Sequence, residues 1–542
     1  MGDSKRIVGL ALVPVGGLIA QAAQAEPAAI RFDPQANVPS PIAPDFSERG
    51  ITELGNTQVS IEGNPSELGG ANRFTITGGT QVEQNLFHRF DRFNLDAGQI
   101  ATFLTNPNTR AVFGQVSGGN ASYLDGLLQV SGSSADLFVI NPSGILFGPN
   151  ARLDLGGAFT ATTADWIGFG DAGQEQWLHT LTGQNYSGGQ ASAFGFSAVA
   201  PGSIVNQGAL AVSQGQSLRL LGGNVVNLGQ LTAPGGEVSA IATPGPSVVR
   251  LQDASGLLRV SITPQDFSAI ASSQAIAQAT HPTDARSRPE LLTGQPQAAE
   301  ASAMRVNADG SVSLISSQID VSQAAGTGGQ VNLVGKTVQL TDSVVEASGA
   351  MGGTIRVGGD AQGSAALPGS VVTRVDAKSV LRADALAQAP EGIAPEGIAP
   401  EGIAPEGGNV IIWSDGSTEV AGTLSARGGG LVETSGAQGL KIADTARVET
   451  AANGANGADG ADVRAQAGTW LLDPLTLTVA NSGGDITPGT VVANLQTTNV
   501  TLQADNQITV TDAINASGNT AVSGQGNLTL DAPTVDLNAR VT

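Results

Sequence analysis

Apolar and polar residues alternate along short stretches of this chain, and glycines separate the stretches. Val331-Asn332-Leu333 and Ile355-Arg356-Val357 are clean instances. A period of two puts valine, isoleucine and leucine on one face of a strand and serine, asparagine and glutamine on the other. A frame of the form Gly-Gly-x-Val/Ile recurs at Gly222-Gly223-Asn224-Val225, Gly235-Gly236-Glu237-Val238, Gly328-Gly329-Gln330-Val331, Gly352-Gly353-Thr354-Ile355, Gly407-Gly408-Asn409-Val410 and, with its register kept, Gly429-Gly430-Leu431-Val432. A second frame ends in a small residue and glycine, as in Val345-Glu346-Ala347-Ser348-Gly349 and Leu424-Ser425-Ala426-Arg427-Gly428. Strands this short close no core singly. Stacked coil on coil, each covers the apolar face of the one before. The pattern predicts an all-β fold, a right-handed parallel β-helix, with roughly 20–25 residues per coil and a rod on the order of 100 Å long. The competing fold is a β-sandwich or propeller, which calls for hairpin turns such as Asn-Gly between strands. Asn453-Gly454 and Asn456-Gly457 instead sit together in one Gly/Ala-rich loop.

Two segments break the alternation. Residues 246–310 read as an irregular excursion, because the stretch from Phe267 to Gly310 is rich in Ala, Ser, Gln and Pro. A short helix fits Ala275-Ile276-Ala277-Gln278-Ala279, and Pro282 and Pro289 prevent its extension. The pentad Pro390-Glu391-Gly392-Ile393-Ala394 repeats from Pro395 and from Pro400. Proline and glycine in every unit forbid a regular ladder and make this a loop. At the start of the chain Lys5 and Arg6 precede a broken apolar run, and Ala23-Gln24-Ala25 forms a small-x-small cleavage pattern. Residues 1–25 are therefore read as a signal peptide, and no later stretch is apolar enough to span a bilayer. Leu528-Thr529-Leu530 and Val535-Asp536-Leu537 still alternate close to Thr542, with no polar cap after them. Since a solenoid end is an open edge, the repeat region 311–542 is expected to be truncated.

Composition narrows the functional classes. Glycine supplies 73 of 542 residues, charged residues 13% and aromatic residues 4%; small residues suit turns and short strands, not large helix-packed cores. The formal charge is −22, and lysine is confined to Lys5, Lys336, Lys378 and Lys441. Such a surface repels nucleic acid and anionic membranes. Cysteine is absent, which suits a chain threaded unfolded through an outer membrane.

Between residues 85 and 169 the pattern becomes specific. Asn85-Leu86-Phe87-His88-Arg89-Phe90, Phe93-Asn94-Leu95, Asn106-Pro107-Asn108 and Leu124-Asp125-Gly126-Leu127-Leu128-Gln129-Val130 lead to Ala135-Asp136-Leu137-Phe138-Val139-Ile140-Asn141-Pro142-Ser143-Gly144-Ile145. This run resembles the haemagglutination-activity, or two-partner secretion, domain of the filamentous haemagglutinin family, in a cyanobacterial-like version. Asn141, Pro142, Ser143, Gly144 and Ile145 correspond to that family's Asn-Pro-Asn-Gly-Ile motif, with Ser143 in place of the middle asparagine. Asn106, Pro107 and Asn108 match a second motif, Asn-Pro-Asn-Leu, except that Thr109 follows. Serine and asparagine both bond locally to backbone in turns, so the first turn tolerates the exchange. Pro142 pre-sets a turn and Gly144 permits positive φ.

The resemblance implies a secretion domain over residues 26–245 that is recognised by an outer-membrane POTRA-containing β-barrel transporter. It further implies a protein secreted to, or held at, the surface of a Gram-negative-type bacterium, where it acts as an adhesin with a host-surface or glycan ligand. A carrier stalk for a missing C-terminal effector and a carbohydrate-active β-helix enzyme are the alternatives. Catalysis is not expected: Asp360, Asp376, Asp384 and Asp415 are scattered, and His88, His179 and His281 lack metal-ligand spacing. No cofactor or metal is implied, and His88 is expected to be structural.

Overall fold

The computed structural model describes residues 50–62, 73–171, 174–254, 257–264, 310–364, 367–386, 406–451, 467–517 and 526–542. The expected signal peptide, the short helix at Ala275–Ala279, His281, the pentad repeat and the Asn453–Gly457 loop lie outside these residues.

The chain winds through three strand positions per coil. The first face is a 15-stranded sheet that begins at Ile51–Leu54 and Asn85–Phe93 and ends at Leu528–Asp531. The second face is a nine-stranded sheet from Ser122–Leu124 to Gly439–Ile442. The third is formed by a five-stranded sheet ending at Arg152–Asp154 and a seven-stranded sheet that opens at Ala209–Ala211. From Asn85–Phe93 onward, neighbouring strands of the first face pair in parallel, as Leu137 with Phe159 and Val410 with Val432. The architecture is a parallel β-helix, and compact coils run from 20 residues, where Leu218 pairs with Val238, to 26, where Leu86 pairs with Val112.

Alternation does the work assigned to it. Val331 and Leu333, Val338 and Leu340, and Val345, all fully buried, point inward from the three faces of one coil. The outward positions form polar ladders. On the third face Arg382 pairs with Glu346 at 3.6 Å. On the second face Arg374 meets Glu419 at 3.0 Å. Corners carry buried amides: Asn206 donates to the Asn227 side chain one coil on (2.8 Å), while its own carbonyl oxygen accepts the Gly208 N–H (3.0 Å).

Five of the six Gly-Gly frames mark the corner where the third face turns into the first, while Gly222-Gly223 lies where the first turns into the second. The second glycines of these five stack directly. A β-carbon on Gly329 would stand 2.2 Å from the carbonyl oxygen of Gly236, and one on Gly353 2.2 Å from that of Gly329. The same holds for Gly408 over Gly353 (2.0 Å), Gly430 over Gly408 (2.3 Å) and Gly468 over Gly430 (1.8 Å). Each of these carbonyls accepts the N–H that opens a strand of the next coil, as Thr354 N–H to Gly329 (3.0 Å) and Leu431 N–H to Gly408 (3.0 Å). The glycines are therefore required by close approach of backbone to backbone, not by φ.

Segments leave the rod at corners. After Phe159–Thr162, the strands Trp166–Phe169, Gln176–His179 and Ala191–Phe196 form an antiparallel sheet. The stretch expected as an irregular excursion opens with an ordered hairpin, Ser247–Ala254 with Leu257–Pro264, which joins that sheet through Phe194 and Val249. Its order has an apolar cause: Val249, Val260 and Ile262 pack with Ile167, Phe169 and Phe194 against the outer side of the first face.

Gly353→Ala should lower the urea midpoint by the equivalent of about 2–3 kcal/mol, because backbone must move on the adjacent coil. Gly439→Ala, where an added β-carbon meets nothing nearer than Ser417 Cβ at 3.8 Å, should be neutral or stabilise by up to about 1 kcal/mol. Equal effects at the two positions would contradict the stacking account.

Candidate functional site

The Asn141–Ile145 motif forms the corner between the first and second faces. It follows the strand Asp136–Ile140 and leads into Ile145–Phe147. The Asn141 side chain donates to the Asn120 carbonyl (2.9 Å) and the Ser122 hydroxyl (3.0 Å), and its own oxygen accepts the Ser143 N–H (2.9 Å). The Asn141 main chain donates to Thr162 O (3.0 Å) and accepts from Gly144 N–H (3.0 Å). Gly144 adopts φ +120°, which favours glycine. A β-carbon on Gly202 of the next coil would lie 2.6 Å from Pro142 O, so the two corners are in close backbone contact. Asn141 is 1% exposed and Ile145 fully buried. This corner thus binds three successive coils, and Ser143 contributes only its N–H to the turn, which explains why serine fits.

Asn106-Pro107-Asn108 is built differently. It is exposed and lies at the corner between the third and first faces, after Ile100–Leu104. Asn106 Oδ1 accepts the Asn108 N–H (2.9 Å), and its main-chain oxygen accepts from Thr109 (3.0 Å). The two motifs occupy different corners, and the fold does not bring them together into one site.

Sequence reasoning missed the largest feature of this region. Phe87, Phe113 and Phe138 form an outward aromatic ladder on the first face, with centroids 4.8 and 4.6 Å apart. The antiparallel sheet covers it with Phe169, Leu178 and Phe194. Asn85 ties the covering layer down by donating to Ser187 O and Gly189 O, both at 2.8 Å. The alternation in Trp166-Ile167-Gly168-Phe169 and Ala193-Phe194-Gly195-Phe196 is the signal that could have revealed it.

His88 points inward, fully buried, beside Phe103 (5.6 Å between centroids), and neither ring nitrogen has a hydrogen-bond partner. Burial holds its pKa down to about 4. Of the carboxylates noted in the sequence, Asp376 accepts the Ser379 N–H within a turn (2.9 Å), Asp384 accepts the Arg427 N–H of the next coil (2.8 Å), Asp360 accepts from Arg356 Nε (2.8 Å) and Asp415 from Trp413 Nε1 (3.1 Å). Among the described residues no three acidic or histidine side chains gather as a metal would require.

Residues 55–286 match the family model described as "TPS secretion domain". The chain carries a two-partner secretion domain. That domain supports export by a two-partner system and implies a dedicated transporter as partner. Among solved structures it is similar to the HMW1 secretion domain from Haemophilus influenzae, at 20% identity, covering 74% of this chain and 98% of that one with a TM-score of 0.36. It is also similar to a filamentous hemagglutinin secretion domain, at 16% identity, covering 74% and 95% with a TM-score of 0.29. Superpositions this loose carry no weight beside the sequence match. No curated protein matches the chain. The matched span of the secretion domain holds both asparagine motifs, the aromatic ladder and its cover.

Asn141→Ala strands buried partners and should destabilise the secretion domain by about 1–3 kcal/mol, whereas Asn106→Ala, at an exposed turn, should cost about 0.5 kcal/mol or less; urea unfolding of both variants compares them. His88 sets a pH dependence. Its pKa is about 4 in the fold against 6.5 ordinarily, so the unfolded chain binds the proton first. Its contribution is fully present above pH 6.5 and is lost as pH falls through about 4, at about 1.4 kcal/mol per unit. His88→Leu should flatten that slope in denaturation measured from neutral to acid pH.

Proposed function

We propose that residues 26–245 carry the address read by POTRA modules of an outer-membrane β-barrel transporter, and that the rod then acts at the cell surface as an adhesin. The observation that carries this reading is the unbroken ladder between the matched domain and the repeat region. Glu237–Ala242 pairs in parallel with Gln330–Val334 across the intervening segment. The secretion domain is therefore the template on which the next coil stacks, each coil burying apolar area on the previous one. An extended segment adding as a strand to a sheet edge is a known physical mode for recognition by periplasmic modules. The Asn141 corner serves this role by fixing three coils early, and the exposed Asn106 turn is the part of the pair that a partner can reach. For adhesion, the support is the resemblance to the filamentous haemagglutinin family together with the outward polar ladders of stacked coils, which offer a host-surface or glycan ligand repeated positions.

Deleting residues 26–245 should abolish appearance of the protein outside the cell, and a reporter fused to residues 1–245 alone should be exported when the transporter is present. Normal export of the deletion variant would defeat the reading.

A further inference from the structure

Glu433 lies on the outward side of the first-face strand Leu431–Thr434, where a carboxylate would ordinarily meet water, yet it is fully buried. What covers it is the segment that leaves the rod after Thr354–Val357 and returns at Val372–Val375. That segment is described from Gly358 to Ser364 and from Leu367 to Val371. Several contacts show that it lies flat on the first face. β-carbons on Gly359 and Gly363 would stand 2.5 and 2.7 Å from the Trp413 ring. Leu367 is 4% exposed and packs in the outer apolar layer with Val334. Gln362 takes a left-handed conformation, φ 49°, and its N–H donates to Glu433 Oε1 at 2.9 Å. Glu433 Oε2 is buried with no partner.

We propose that the stretches Gly358–Ser364 and Leu367–Val371 form a strap whose closure over the first face is controlled by protonation of Glu433. Burial is the largest influence and favours the uncharged acid, as do two nearby carboxylates, against the bonds from Gln362 N–H and the Ser435 hydroxyl, which favour the ionised form. From the strap comes Asp360, itself engaged by Arg356 (2.8 Å) and Ser364 (2.5 Å), so the one nearby guanidinium is already paired. From the next coil comes Asp473, whose own Oδ1 is buried without a partner and which feels Asp505 and Asp531. The strand below presents Ile411, aligned with Glu433. The same strand contributes the Ser435 hydroxyl, a neutral partner. Burial and the two like charges push the Glu433 pKa from 4.5 up to about 7. A neutral carboxyl keeps the Gln362 bond and can donate from its free oxygen. An ionised one leaves a charge buried beside two acids, and opening the strap hydrates it. The sign follows: the folded, closed state binds the proton more tightly, so closure is favoured in acid and weakens as pH rises from about 4.5 to about 7. This device rests on local geometry and stands apart from the export reading.

Hydrogen–deuterium exchange on the full chain tests it, following amides of residues 358–364 and 367–371 from about pH 5 to pH 8 after correction for intrinsic rates. The opening equilibrium should rise by up to about tenfold per pH unit and level off above about pH 7. Glu433→Gln, whose amide can donate toward Asp473, should stay protected and show no pH dependence. Asp473→Asn, which removes one like charge, should move the midpoint to lower pH. An unchanged pH course in Glu433→Gln, or a flat wild-type profile, overturns the proposal. Closure at pH 8 on adding calcium chloride would also overturn it, in favour of cation control.

Discussion

The fold depends on how closely one coil can approach the next at the corner between the third and first faces. There backbone meets backbone with no room for a side chain, from Gly236 through Gly329, Gly353, Gly408 and Gly430 to Gly468. Because the carbonyl of each glycine accepts the first N–H of the next strand, the corner also fixes register. A register slip of one residue would turn the apolar face outward. Everything on the faces follows from that alignment: Val331 over Val238, Ile355 over Val331, and the outward charges of Glu346 and Arg382 in the same file. The glycine file ends at Gly468. In the next coil the helix Pro488–Asn494 enters, capped by Thr487, whose hydroxyl oxygen accepts the Thr490 N–H.

The rod was legible in the chain because its rule is local and repeated. Gly-Gly followed by alternation names both the tight corner and the strand after it. The Asn141 turn was legible for a related reason, since Pro142 and Gly144 state the backbone they require. Features that depend on what lies across a surface were not. Phe87, Phe113 and Phe138 come from three coils and become a ladder only when stacked, and their cover comes from residues 166–196 and 247–264. Glu433 reads as one more outward polar residue, and nothing near it in sequence announces that Gln362 will fold over it. Asn106 and Asn141 look alike as Asn-Pro pairs, yet one ends up exposed and the other 1% exposed, because burial is set by the neighbouring coils.

The looped-out segments share a logic. The sheet around Phe194, the hairpin at Ser247–Pro264 and the strap at Gly358–Ser364 and Leu367–Val371 all leave between the first and second faces and lie over the outside of the first. That face is thereby clothed along part of its length, which is why outward residues such as Phe113, Ile241 and Ile411 can be apolar there. Insertion at a corner leaves the glycine file untouched, so the rod accommodates a large added layer without losing coil spacing.

The direction of the hydrogen bonds has a mechanical consequence. In a parallel β-helix the bonds between stacked strands run along the rod, not across it. A pull on the axis therefore loads the rungs of one coil at a time, like a zip opening from its end, and does not shear many together. The rod should yield coil by coil under tension, and the points that resist are those where a single residue ties several coils. Asn141, with bonds to Asn120, Ser122 and Thr162, is such a rivet.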